Sequence, residues 1–199
     1  MVLPTGLSKD NYEIQFAINH IAHALIIKML FPSLQAAAAS TTTSDVRIII
    51  AASVGFRYTR QFGIAYDTLN TTQSAFMGPA KRYCQSKYAN VLYAYQLAKL
   101  HPDITSVSQH PGVVDTDMVR KARWLDRFVI WSTNLGRKYF SAEEGALNQL
   151  WLAAGMKKES IKNGMIYLPV GIEKDNLDDL DREAKQLWEW TEKELGKVL

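Results

Sequence analysis

The chain has 199 residues, of which 47% are hydrophobic and 22% charged, a composition ordinary for one globular domain or a shortened larger one. Its formal net charge is only +3 and its Lys and Arg residues are dispersed, so there is no basic, aromatic-interleaved stripe and no compositional case for binding nucleic acid. The single cysteine, Cys84, excludes an intrachain disulfide framework and a multi-cysteine metal site. It also fits a reducing compartment. No apolar run approaches the roughly 18 residues of a membrane span, and Met1 to Asp10 lacks the blocks of a signal peptide. The chain therefore reads as soluble, with a cytoplasmic location favoured, although an anchor on a lost upstream segment would be invisible.

In chain order, Asp10 to Phe31 carries Ile14, Ile18, Ile21, Ala22, Leu25 and Met29 at helical spacing, with Asp10 and Glu13 in capping-box register. Pro32 is expected to close this helix, and the Ala, Ser and Thr of Gln35 to Asp45 to form a surface loop. Val46 to Ala52 is a short, isoleucine-rich run suited to a strand buried on both faces, with Ser53 at its carboxyl end. Val54 to Gly78 shows no sustained period and reads as a long excursion that could cover a site. Pro79 then opens a helix to about Leu100. Ile104 to Gln109 is a second buried strand, broken by Pro111-Gly112, and Met165 to Leu168 is a weaker third. Ser141 and Glu144 form a capping box before a helix ending near Gly155, and Asp178 to Leu195 is a final amphipathic helix. Strands alternating with helices predict parallel β-α-β units with ligands at the strands' carboxyl ends.

The chemistry concentrates in Tyr83-Cys84-Gln85-Ser86-Lys87, 30 residues after Ser53 and followed by His110-Pro111-Gly112-Val113-Val114-Asp115-Thr116. A phenol and an ammonium four residues apart share one helix face, and the cation is expected to lower the phenol's pKa toward a useful acid/base range. Spacing alone is weak support, because nine tyrosines and fourteen lysines give about 0.6 chance matches. Tyr95 and Lys99 match it too, and read as a surface neighbour pair. Position separates the two, since Tyr83 starts its helix just after the long loop.

In order and spacing these residues resemble the active site of the short-chain dehydrogenase/reductase family, nearest to its retinol-dehydrogenase-like and WW-domain-oxidoreductase-like branch. The resemblance implies a Rossmann-like, doubly wound parallel sheet in three α/β/α layers. It also implies hydride transfer between NAD(P) and a carbonyl or alcohol, with NADP(H) slightly favoured. Tyr83 is then the acid/base. Lys87 supports it and bonds the nicotinamide ribose. Ser53, ending the run Arg47-Ile-Ile-Ile-Ala-Ala-Ser53-Val-Gly55, polarises the substrate oxygen, although the family often has Ser or Gly where this chain has Ala52. Asn19, in Tyr12-Glu-Ile-Gln-Phe-Ala-Ile-Asn19-His20-Ile-Ala-His23, corresponds to the asparagine that holds a relay water near the lysine. Pro111, Gly112, Val114 and Thr116, with Tyr83 and Lys87, would bind the cofactor, the Val114 backbone and the Thr116 hydroxyl holding the nicotinamide carboxamide. Asp117 to Tyr139, with Trp124, Phe128, Trp131 and Tyr139, corresponds to the variable substrate-binding region (117–140); these aromatics either line an apolar pocket for a small carbonyl or alcohol or pack against a helix or partner.

His20 and His23, three apart without a third ligand, read as helix packing rather than metal ligands, as do Trp188 and Trp190 rather than a cofactor box. The family's Gly-rich turn, its selector residue and its Asn-Asn-Ala-Gly segment have no counterpart here, and Met1-Val-Leu-Pro aligns just after the last of them. The resemblance therefore implies that 1–199 is one incomplete domain lacking its N-terminal strands, and that its cofactor binding alone is weak. Two readings stay open: a short-chain oxidoreductase, or an inactive remnant acting through protein-protein contacts. An exposed sheet edge would invite a homo-oligomer or a partner strand.

Overall fold

The computed structural model describes residues 5–115, 139–174 and 180–198. Four strands form one sheet in the order β1 (Arg47–Ala51), β2 (Thr105–Gln109), β3 (Ile166–Leu168), β4 (Ile172–Lys174). β1, β2 and β3 are parallel, with Ile49 opposite Val107 and Ser108 opposite Ile166. β4 was not foreseen; it returns antiparallel on β3 through a tight turn, in which Gly171 takes a positive φ of 68°.

The helices are α1 (Ile14–Ala39), α2 (Phe56–Arg60), α3 (Pro79–Leu100), α4 (Ala142–Leu150) and α5 (Asp181–Leu195). Pro79 opens α3 at its first turn, where a missing N–H costs nothing. Ser141 and Glu144 form the anticipated capping box, and α4 runs on through a wide turn at Trp151–Gly155.

The first helix departs from expectation at both ends. Glu13, not Asp10, is the N-cap, its carboxylate accepting from the Phe16 N–H at 2.7 Å. Pro32 lies inside the helix, which continues to Ala39. A proline removes one backbone hydrogen bond, but the Ala36–Ala39 run has high helix propensity and carries the helix on. The whole helix is consequently long and apolar enough to cross a membrane by length and composition, which the broken reading of the sequence concealed. One side packs into the core through Ala24, Ile21, Leu25, Ile27, Phe31 and Leu34; Ile18, Ile26, Met29 and Leu30 face outward.

Alternation along the strands divides the core. Ile48 and Ile50 point to the face covered by α1, α3 and α5, where Phe16, Phe56, Tyr88, Leu92, Leu97 and Leu187 are fully enclosed. Ile49, Val107 and Tyr167 point to the other face, where Leu152, Ile161 and Trp151 cover them. These are the helical layers on either side of a parallel-dominated sheet, the α/β fold expected. α3 is enclosed by both β1 and β2 below and α1 and α5 beside it, so it is a rigid mount for whatever its first turns carry.

Candidate active site

The carboxyl ends of β1 and β2 lie side by side, with Ala51 opposite Gln109. This brings Ser53 next to the 110–114 segment, and α3 passes beneath with Tyr83 and Lys87 on its first turns. The Ser53 hydroxyl lies close enough to the Tyr83 phenol to favour its ionised form. Ser53 Oγ accepts from the Gly55 N–H at 3.3 Å. Gly55 is required there: a Cβ would lie 2.8 Å from Cys84 Sγ.

Lys87 Nζ donates to the Ala51 carbonyl at 3.0 Å and lies 5.8 Å from the centre of the Tyr83 ring. Burial pushes its pKa down to about 8. The expected lowering of the phenol is not found. Burial raises Tyr83 to about 12, partly opposed by the nearby Ser53 hydroxyl; the ammonium, 5.8 Å from the ring centre and bonded to the strand, does not offset it. Tyr83 is thus a protonated donor, and Lys87 a weakened cation.

Asn19 lies in a π-helical turn, Ala17–Ile21. Such turns loosen the backbone ladder and recur at functional sites. Its amide donates to Ser86 Oγ at 2.9 Å, and Ser86 donates to the Tyr83 carbonyl at 2.8 Å. Asn19 therefore braces the turn that carries Tyr83. His20 is fully buried and held neutral, with its pKa driven to about 3 by burial. His23 is exposed, bonding to the Ile18 carbonyl. Among the described residues no group of three potential ligands could hold a metal ion.

Pro111, Gly112 and Val114 continue β2 into the site. Gly112 has φ 87° and the Phe140 ring packs where a Cβ would stand. Val114 bridges to Phe140 and packs on Gly145. His110 carries a buried Nδ1 with no hydrogen-bond partner among the described residues; burial, then the charge of Arg57, lowers its pKa to about 4. Thr116, Trp124, Phe128 and Trp131 lie outside the described residues. Tyr139 lies at their border and the expected substrate region is otherwise not described.

Three features escaped the reading of the sequence. Asn148, fully buried on α4, donates to the His110 and Tyr167 carbonyls at 3.0 and 3.1 Å and accepts from the Gly171 N–H at 3.0 Å, pinning the ends of β2 and β3. Arg82, beside Tyr83, pairs with Glu13 at 3.1 Å with both side chains almost wholly enclosed and donates to the Thr72 carbonyl at 3.3 Å. Gln85 holds the loop ahead of the tyrosine by bonding to Gln73 and to the Ala65 N–H. The signal for all three was the same: a polar side chain on an otherwise apolar helix face, which needs a partner.

No family model matches the chain. An uncharacterized oxidoreductase of Schizosaccharomyces pombe is 40% identical over 119 residues, covering 59% of this chain and 35% of that protein. A short-chain dehydrogenase/reductase of Armillaria gallica is 33% identical over 198 residues, covering 94% of this chain and 58% of its own length. The chain thus spans less than two thirds of these curated relatives. Among solved structures, an uncharacterized protein from Mycobacterium paratuberculosis superposes with a TM-score of 0.66 at 20% identity, over 98% of this chain and 63% of the other, a likeness of fold. The homologues of this chain are short-chain dehydrogenase/reductases.

Proposed function

We propose that the chain belongs to the short-chain dehydrogenase/reductase family and carries its acid/base centre, acting in hydride transfer between NAD(P) and a small apolar carbonyl or alcohol. The observation that carries the reading is the convergence of Ser53, Tyr83 and the half-buried Lys87 at the carboxyl ends of two parallel strands, with Lys87 anchored on the Ala51 carbonyl at 3.0 Å. A substrate oxygen seated between Ser53 and Tyr83 would accept from both hydroxyls. Ser53 then polarises the carbonyl and Tyr83 delivers the proton as the oxygen gains charge. With burial raising its pKa, Tyr83 is protonated at neutral pH and can serve as the proton donor in reduction. Oxidation needs a more acidic phenol, and a cationic nicotinamide together with Lys87 acts in that sense.

The described residues fit the nicotinamide end of the dinucleotide. Lys87 offers a donor, the Pro111–Val114 segment continues from the end of β2 beside Ser53, and the buried His110 Nδ1, without a hydrogen-bond partner among the described residues, is a polar atom that a ligand could engage. When bound, the nicotinamide supplies or accepts the hydride. Asn19, by bracing Ser86 and the Tyr83 turn, keeps the phenol aimed; the relay of protons through a water beside Asn19 is part of the same reading.

The test is to follow oxidation of NADPH and NADH in the presence of a panel of aliphatic and aromatic aldehydes and ketones. Turnover with any member, lowered roughly 10²- to 10⁴-fold in Ser53→Ala, is the expected result. Turnover unaffected by Ser53→Ala would remove the site from the reaction.

A further inference from the structure

The Ala51 carbonyl holds Lys87, but Lys87 is not its only donor. Asn90 Nδ2 donates to the same oxygen at 2.9 Å, alongside Lys87 Nζ at 3.0 Å. Asn90 lies three residues after Lys87 and seven after Tyr83 on α3, so all three project from one side of the helix. Its neighbours Ala89 and Val91 are fully buried and Asn90 itself is 4% exposed. An amide in that position is costly unless its hydrogen bonds are made.

The geometry of β1 explains the acceptor. The Ala52 N–H donates to the Gln109 carbonyl, so by alternation along the strand the Ala51 carbonyl points away from β2, toward the outer edge of the described sheet. Side chains of α3 supply the donors that a further strand would supply elsewhere. Asn90 in turn lies within electrostatic reach of His20, whose Nε2 is 2.9 Å from Thr191 Oγ1 on α5, and the His20 ring packs edge-on against Phe16 and Tyr93. Thr191 and His20 thus stand behind Asn90, whose amide reaches the Ala51 carbonyl under Lys87.

We propose that Asn90 is a positioning residue for Lys87: by sharing the Ala51 carbonyl with it from a buried position on the same helix, Asn90 sets where the Lys87 ammonium rests and how strongly it is held. This deepens the oxidoreductase reading and rests on it for its catalytic meaning. The groups facing the ammonium are the Tyr83 phenol on the same helix, the Ala51 carbonyl from β1 and the Asn90 amide, with the His20 imidazole of α1 behind it. None of these is charged at neutral pH, and among the described residues no carboxylate acts on Lys87. A small change at Asn90 therefore has an undiluted effect.

The test reads Lys87 directly in the 199-residue chain. Its side-chain ¹³Cε resonance, assigned by its loss in Lys87→Met, is titrated from pH 6 to 11. Asn90→Asp keeps the side chain's shape but places a carboxylate within about 6 Å of Nζ, and an opposite charge at that range should raise the lysine's midpoint by roughly one to three units, cutting the neutral amine fraction at pH 7 at least about tenfold. A second arm needs no substitution at Asn90. In the unaltered chain the Asn90 side-chain amide protons should shift with the midpoint of Lys87, and this response should vanish in Lys87→Met. A Lys87 midpoint unmoved in a folded Asn90→Asp chain overturns the proposal. So does an Asn90 amide that stays flat through the Lys87 titration, which decides the matter should Asn90→Asp not fold. Neither arm requires turnover, so the oxidoreductase reading and this inference fail separately.

Discussion

Helix α3 carries two Tyr-x-x-x-Lys pairs three turns apart, and the structure makes opposite environments of the same spacing. Tyr95 and Lys99 both donate to Asp181 Oδ1, at 2.6 and 2.7 Å; Lys99 and Asp181 are about half exposed, and the trio is a solvated bridge between α3 and α5. Among the described residues no carboxylate pairs with Tyr83 or Lys87: the Ser53 hydroxyl lies beside the phenol and the Ala51 carbonyl accepts from the ammonium. Burial raises the phenol and lowers the ammonium there. A carboxylate satisfies a cation and leaves it inert; neutral partners leave both members of the pair available to a substrate. The i,i+4 interval is thus a statement about a helix, and reactivity comes from what the neighbouring elements bring to it.

The largest expected contrast is between the two lysines. The proposed role predicts that Lys87→Met lowers carbonyl-reduction turnover by roughly 10²- to 10⁴-fold, whereas Lys99→Met stays close to wild type. Equal losses would dissolve the distinction. Next in size is a mechanical test of the shared mount. Leu92 is fully buried on α3 between the two pairs, and Leu92→Ala should cost about 2–5 kcal/mol in a denaturant titration. Loss near 0.5 kcal/mol would mean that α3 is not the rigid element described.

Linkage gives a sharper, smaller comparison. Lys87 is lowered to about 8 in the fold from an ordinary 10.5. Between those values the unfolded chain binds more protons than the folded one, so this group's contribution makes stability rise with pH from about 8 to 10.5. Subtracting the Lys87→Met curve should isolate that rise; a flat difference would contradict the burial of Lys87. Asp181 behaves in the opposite sense. Its pKa is lowered by its bonds to Lys99 and Tyr95, so its contribution is present above the ordinary carboxylate range and is lost as pH falls through its folded value. Being exposed, it is screened by salt. Asp181→Asn should therefore have the smallest effect of the series, and one that fades at high ionic strength.

How far the sequence carries this contrast depends on the range of the forces involved. Local patterns were legible: the Ile-rich β1, the Pro79 start of α3, the Ser141–Glu144 box, and the placement of Ser53 and Tyr83 at strand and helix ends. Where propensities competed, the first helix was misjudged, because Ala36–Ala39 outweighs Pro32 and Glu13 caps more directly than Asp10. What was not legible came from distant chain segments. The direction of the Tyr83 shift depends on burial by elements 30 residues away in sequence, Asn148 matters because three separated backbone groups converge on it, and Asp181 reaches Lys99 across 82 residues. The polar residues on the apolar side of α3, Arg82, Gln85 and Asn90, were visible in the sequence, but not their partners.

The central claim, that Tyr83 and not Tyr95 is the acid/base of this chain, is tested most directly by isotope transfer. Wild type, Tyr83→Phe and Tyr95→Phe are each incubated with 4-deuterated NADPH and a carbonyl compound that the wild type reduces, and deuterium in the product alcohol is measured by mass spectrometry. The account predicts comparable labelling for wild type and Tyr95→Phe, and a loss of roughly 10²- to 10⁴-fold in labelling rate for Tyr83→Phe. Undiminished labelling by Tyr83→Phe, or an equal loss in both variants, would contradict it.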